Sequence, residues 1–225
     1  MSVVDFAEAK RARPHPESDL LQEANHRVAN HLSLIAGLVQ FQMGKVAKGP
    51  EMLKREEVQF ILKEVTGKIV SVGHLHRKLA HAPQSDSIDL AEYMIEACST
   101  LISTLSLTGR VTIAQKLSGK CIVRPEQAQT IGLILGEIIL NAVKHAHPAG
   151  LPVQMTLACG PNAAGNIAID IADDGVGLPE GFDPMTHPGV GFRLVRSLAE
   201  RLKAGLEIES DSLGLCHRLI LPATV

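Results

Sequence analysis

Several things are missing from this sequence. The four cysteines, Cys98, Cys121, Cys159 and Cys216, are scattered and show no CxxC spacing. That fits a reducing cytoplasm better than a disulfide framework. No apolar run reaches the ~18 residues needed to span a bilayer, and the best candidate is broken by Glu137 and Asn141. The first residues, MSVVDFAEAKRARPHPES, lack the long apolar region of a signal peptide. There is no surplus of either charge: the net charge is −2 and the pI is near 6.5, which gives no pull toward nucleic acid or anionic membrane. These absences predict a soluble cytoplasmic protein with no nucleic-acid partner and no membrane insertion. What is present suffices for real cores: 225 residues, 45% of them hydrophobic, enough for one large domain or two modest ones.

The most informative stretch is GLILGEIILNAVKHA, Gly132 to Ala146. It begins as an apolar run, after which Glu137, Asn141 and Lys144 or His145 recur at steps of three and four. On a helix those steps keep side chains on one face, so a carboxylate, a carboxamide and a cation line up along an apolar rod. A plain amphipathic helix would show the same stripe. Two glycine clusters downstream tip the reading toward a nucleotide pocket: DDGVG, Asp173–Gly177, and GVGF, Gly189–Phe192.

Ahead of that stretch, residues 1–17 read as a tail with a small basic cluster. From Ser18, a plausible N-cap, apolar residues fall at Leu21, Ala24, Val28, Leu32, Ile35 and Val39. After Gly44, Gly49 and Pro50 a second helical pattern follows at Val58, Ile61, Val65, Ile69, Val72, Leu75 and Leu79, stopping before Pro83. Residues 18–83 are therefore expected to form an antiparallel hairpin of two helices. Each helix carries more apolar residues than one partner can cover, so the economical assembly is a homodimer with a four-helix bundle. His26 projects away from the seam, and Asn30 lies one turn along the same face. A neutral imidazole is a competent nucleophile.

These residues carry a resemblance. EANHRVANHLSLIAGLVQFQ resembles the phosphoacceptor box of the HWE-related bacterial sensor histidine kinases, HRxxNxLxxI followed by LLxLQ. KIVSVGHLHRKLA is similar to the second-helix signature of that group, and SIDLAEYMIEAC to the segment joining it to the kinase domain. GLILGEIILNAVKHA resembles the N box, DDGVGLP the first glycine box and GVGFRLVRSLA the second. The likeness runs from about Glu23 to Pro222 with six motifs in order. It implies an α+β protein: the hairpin, followed over residues 86–225 by a Bergerat-type α/β sandwich that binds ATP. The pattern agrees. Helices are expected over Asp89–Leu105, Pro125–Ala146 and Gly191–Lys203. Arg110–Gln115 and Lys120–Val123 read as a strand pair. Val153–Ala158 and Asn166–Ile171 read as strands joined at PNAAG, with Leu206–Glu209 and Cys216–Leu221 closing the sheet.

The resemblance implies an ATP-dependent kinase that phosphorylates its own His26 and passes the phosphoryl group to an aspartate of a response regulator receiver domain. Asn141 is expected as the Mg²⁺ ligand, since that ion keeps most of its waters and binds few protein groups. Glu137 would orient a metal-bound water or assist the phosphoacceptor. Asp173 would accept from the exocyclic amine of adenine, with Gly175 and Gly177 letting the backbone approach the base. Gly189 and Gly191 would open a helix whose first amides hold phosphate, near Lys144 and His145. Asn30, a carboxamide that does not titrate, is placed either to position water during dephosphorylation of the regulator or simply to bond its helix neighbours.

Some positions depart from the family pattern. Gly136 stands where Asn is usual, Ala29 and His31 where Lys and Asn are usual, and Leu215 where a Thr often follows the glycine, here Gly214. The alternative reading is a histidine phosphotransfer protein with a degenerate ATP-binding domain; the retained Glu137, Asn141, Asp173 and glycines argue against it. A serine/threonine anti-sigma kinase would lack the histidine hairpin, and a structural dimerisation module would not need the N box. The pairs His74/His76 and His145/His147 sit at HxH spacing, which points the rings about 200° apart on a helix. His74 and His147 are read as surface or packing residues. About 17 residues precede the first helix, too few for a ligand-binding domain. Input is expected from a separate sensor or regulatory protein, from another part of a longer chain, or from the hairpin itself.

Overall fold

A computed structural model of the chain describes residues 52–81, 87–184, 186 and 189–222, with scattered helical residues between 33 and 47. His26 and Asn30 lie outside the described residues. The chain divides into two compact units, Met1–Ala47 and Lys48–Val225. The second unit is described below.

It opens with helix α1, Arg55–His81, and runs through strand β1, Ile88–Asp89, to helix α2, Leu90–Thr104. Asp89 starts α2 as expected of an N-cap, its carboxylate accepting from the Ala91 amide at 3.0 Å. Strands β2, Val111–Leu117, and β3, Ile122–Val123, precede helix α3, Pro125–His145. Pro125 supplies the fixed φ of a first helical position, and Gln127 reaches back to accept from the Arg124 amide at 3.0 Å. Strands β4, Val153–Pro161, and β5, Ile167–Asp173, form a hairpin. Its turn is held by the Asn162 side chain, which accepts from the amides of Ala164 and Asn166. Helix α4, Val190–Arg201, and strands β6, Gly205–Asp211, and β7, Gly214–Leu221, complete the unit.

The five-stranded sheet runs β2-β4-β5-β7-β6, with β2 parallel to β4 and the rest antiparallel. The expected pairing of 110–115 with 120–123 does not form. β2 pairs with β4 across the α3 crossover, while β3 pairs with β1 in a separate two-stranded sheet. The β2–β3 connection looks like a hairpin in sequence. However, Val111 and Leu117 have apolar partners on β4 (Val153, Cys159), which a pairing with the two-residue β3 could not offer.

One face of the sheet is buried under the helices. Val153, Met155, Leu157, Ile169, Ile171, Leu219 and Leu221 alternate inward with period two. Helix α3 lies at the centre of this layer and packs against α1, α2, α4 and β5. Two of its crossings are close because a glycine is present. A Cβ on Gly132 would run into the Tyr93 hydroxyl of α2, and one on Gly67 of α1 would sit 3.3 Å from both Leu140 and Leu105. The architecture is α+β, helices first and then a helix-covered sheet, as expected.

Candidate nucleotide site

Helix α3 carries the polar triplet anticipated from its spacing. Glu137 is buried, and Asn141 lies one turn on at the edge of the helix layer. Gly191, in the first turn of α4, lies directly against both. A Cβ there would stand 2.7 Å from Glu137 Oε1, 2.8 Å from Asn141 Nδ2 and 3.2 Å from Asn141 Oδ1. The N box and the second glycine box thus converge at one point, where a Cβ would push on the ends of both side chains. Gly189 is the N-cap residue and makes no side-chain capping bond; no acidic residue sits in the first turn. The first amides of α4 therefore point out of the helix with the positive end of its dipole behind them. A pocket lined by a carboxylate, a carboxamide and such amides fits a phosphate chain with an oxygen-seeking cation.

Asp173 ends β5, opposite Met155 and Leu215 in the ladder. Burial raises its pKa first of all; the Gly175 and Leu215 amides, which favour the carboxylate, act against this. The Gly175 amide donates to it at 2.9 Å. Leu215 lacks the hydroxyl of the usual Thr but still offers its amide. A Cβ on Gly175 would overlap Ala146 just beyond α3. Gly177 takes a left-handed φ of 71°, suited to glycine, and lies tight against the Asp211 carbonyl. A Cβ at Gly189 would meet nothing, so that glycine serves the helix start rather than a packing contact.

Lys144 and His145 end α3 on its exposed side. The Lys144 ammonium lies 4.8 Å from the centroid of the Phe60 ring on α1, a cation–π contact. Desolvation and then the Lys144 charge hold His145 below the ordinary imidazole value.

Two phenylalanines and one histidine form a cluster that the sequence reading did not single out. Phe192 of α4 stacks on His217 of β7 with centroids 5.6 Å apart and rings 21° from parallel. Phe182, in the segment between the glycine boxes, meets Phe192 at a tilt, with centroids 6.0 Å apart. His217 is 1% exposed, and neither ring nitrogen has a hydrogen-bond partner among the described residues. Burial pulls its pKa down to about 4, so at neutral pH it packs as a flat, neutral ring. The period-two pattern of β7 does place position 217 inward, but histidine gives no apolar signal there. His147, read as a surface or packing residue, instead donates from Nε2 to Asp174 Oδ1 at 3.0 Å.

A two-layer sandwich with a polar-edged central helix, two glycine turns and a helix whose N-terminus has no side-chain cap is the architecture of an ATP-binding kinase domain. Residues 126–225 match the family of histidine kinase-, DNA gyrase B- and HSP90-like ATPases, and residues 23–105 match a histidine kinase family, HisKA_2. The chain belongs to the sensor histidine kinases of the HWE-related group, with a histidine kinase family match followed by the ATPase match. It is 26% identical over 216 residues to blue-light-activated histidine kinase 2 of Erythrobacter litoralis, covering 90% of this chain and 56% of that protein. Its identity to the sensor histidine kinase PdtaS of Mycobacterium tuberculosis is 23%, over 79% of this chain and 34% of that protein. The chain thus spans between a third and just over a half of these relatives. In fold it is similar to the histidine kinase domain of the Erythrobacter litoralis EL346 blue-light-activated kinase, with a TM-score of 0.65, 22% identity and 91% of each chain covered. No helix among the described residues is long and apolar enough to cross a membrane.

Proposed function

We propose that the chain autophosphorylates His26 with Mg-ATP and passes the phosphoryl group to an aspartate of a response regulator. The observation that carries this reading is the convergence of Gly191 on Glu137 and Asn141 at the open end of α4, in a chain whose residues 23–105 match a histidine kinase family. Asn141 and the first amides of α4 hold the phosphates, and Asp173 accepts from the adenine amine. Mg²⁺, when bound through Asn141, neutralises phosphate charge. Neutral His26 attacks the γ-phosphorus through a ring nitrogen, and ADP leaves with the electrons of the broken P–O bond. The imidazole proton is lost to a base, a role for which Glu137 is the candidate carboxylate of the N box. Asn30 is assigned to positioning the water that hydrolyses the regulator's aspartyl phosphate, a reaction separate from transfer back to His26. The exposed apolar face of α1, with Val58 42%, Leu62 60% and Ile69 44% exposed, supports homodimerisation through a four-helix bundle. Cytoplasmic placement completes the reading, with input from a separate sensor or regulatory protein, from another part of a longer chain, or from the hairpin itself.

The test is incubation with γ-labelled ATP and Mg²⁺. Wild type should gain an acid-labile, alkali-stable label. His26→Ala should lose it while still binding ATP. Asn141→Ala should lower ATP binding about ten- to a hundredfold, the cost of a hydrogen bond to a charged group. Label persisting in His26→Ala would remove that residue from its role. A wild type that neither binds ATP nor labels, but accepts phosphate from a phosphorylated regulator, would make the chain a phosphotransfer protein.

A further inference from the structure

His147 sits two residues beyond α3, outside every motif that carries the kinase reading, yet it is tied to the first glycine box. Its Nε2 is 3.0 Å from Asp174 Oδ1, and the same oxygen accepts from the Gln154 amide at 2.9 Å. A carboxylate only accepts, so Nε2 carries the hydrogen. Three further contacts hold the same turn, two of them to the end of α3 and one to β4. The Val176 amide donates to the Ala146 carbonyl at 2.9 Å, the Asp174 amide to the Gln154 carbonyl at 3.1 Å, and Gly175 lies against Ala146 with no room for a Cβ. The Gly175 amide in turn fixes the Asp173 carboxylate at 2.9 Å. The Asp173 side chain is therefore oriented by a turn whose position is set from the end of the N-box helix. His147 is the side chain that makes the connection.

We propose that His147 is a positioning residue for nucleotide recognition: by gripping Asp174 it holds the Asp173–Gly177 turn at the end of α3, so that the Asp173 carboxylate faces adenine. The inference rests on the nucleotide reading above. Asp173 accepts from an amine that adenine has and guanine lacks, so losing its alignment should lower affinity for ATP more than for GTP. The proposed phosphate contacts, made by α3 and α4, should be unaffected.

The experiment uses the full chain and measures equilibrium binding of ATP and GTP, saturating autophosphorylation rate, and amide hydrogen exchange without nucleotide. His147→Ala should weaken ATP binding about three- to tenfold, the size of one hydrogen bond to a charged group with part of its value lost to solvent. GTP binding and the rate at saturating ATP should stay within about twofold. The amides of Gly175 and Val176 should exchange faster while those of β5 do not. His147→Gln, which keeps an N–H donor at similar reach, should restore most of the ATP affinity. Combining His147→Ala with Asp174→Ala should weaken binding no further than Asp174→Ala alone. Unchanged ATP affinity and unchanged exchange at Gly175 and Val176 in His147→Ala would overturn the proposal, as would equal weakening of ATP and GTP. A wild type that fails to bind ATP would overturn the nucleotide reading itself, and this inference with it.

Discussion

Helices α3 and α1 are both long and both carry apolar side chains at helical spacing, yet their surroundings differ. From Ala128 to Leu140 every residue of α3 is buried, including Gly132, Gly136 and the charged Glu137. On α1, Gly67 is the one fully buried residue among those whose side chains are described, while Val58, Leu62 and Ile69 are substantially exposed. A helix buried on all sides belongs to the core of its own chain, and one with an apolar stripe left over is built to meet something else. Glu137 and Asn141, the polar groups proposed to serve the nucleotide, are on the first kind. A rigid, surrounded helix holds a pocket's geometry better than one that must also move or dimerise.

The largest expected effect tests this contrast directly. Ile134→Ala on α3, at a position 0% exposed, should cost about 2–5 kcal/mol in denaturant unfolding. Leu62→Ala on α1 should cost under about 0.5 kcal/mol at dilute protein but weaken self-association measured by sedimentation. Comparable losses from the two would mean that Leu62 is covered within a single chain and the contrast is false.

The next effect lies under α4 and reads out in pH. His217 titrates at 6.5 when unfolded and at about 4 in the folded chain. Below pH 6.5 the unfolded chain takes up a proton that the folded one refuses. The neutral ring's share of stability is therefore complete above pH 6.5 and is lost as pH falls toward 4, on the order of 3 kcal/mol in all. His217→Phe keeps an aromatic ring against Phe192 and should flatten that limb of the stability curve. An unchanged slope between pH 6.5 and 4 would show that the ring is hydrated.

The smallest effect concerns the seam between the two helices. Phe60→Leu should remove the Lys144 cation–π contact at a cost of about 0.5–1 kcal/mol, and should have no effect in a Lys144→Met background. Additive losses in that double-mutant cycle would mean that the contact contributes nothing.

Local chemistry alone determined much of this protein. Alternation wrote β4, β5 and β7, and Asp89 and Pro125 marked helix starts to within a residue. Apolar spacing made α3 a helix with Glu137 and Asn141 on one face, and the glycine boxes announced two tight backbone approaches. These signals lie within a few residues of one another, which is why they are legible. Tertiary structure decided whatever depends on a distant partner. It paired β2 with β4 and β3 with β1 because the apolar partners are some forty residues away in one case and thirty-five in the other. It covered the Gly67 side of α1 and left Val58, Leu62 and Ile69 exposed, since a glycine lets two helices approach where larger side chains hold them apart. It also separated two histidines that look alike in sequence. His217 became a neutral buried ring and His147 a hydrogen-bond donor to Asp174, because an imidazole takes its role from what the fold places beside it.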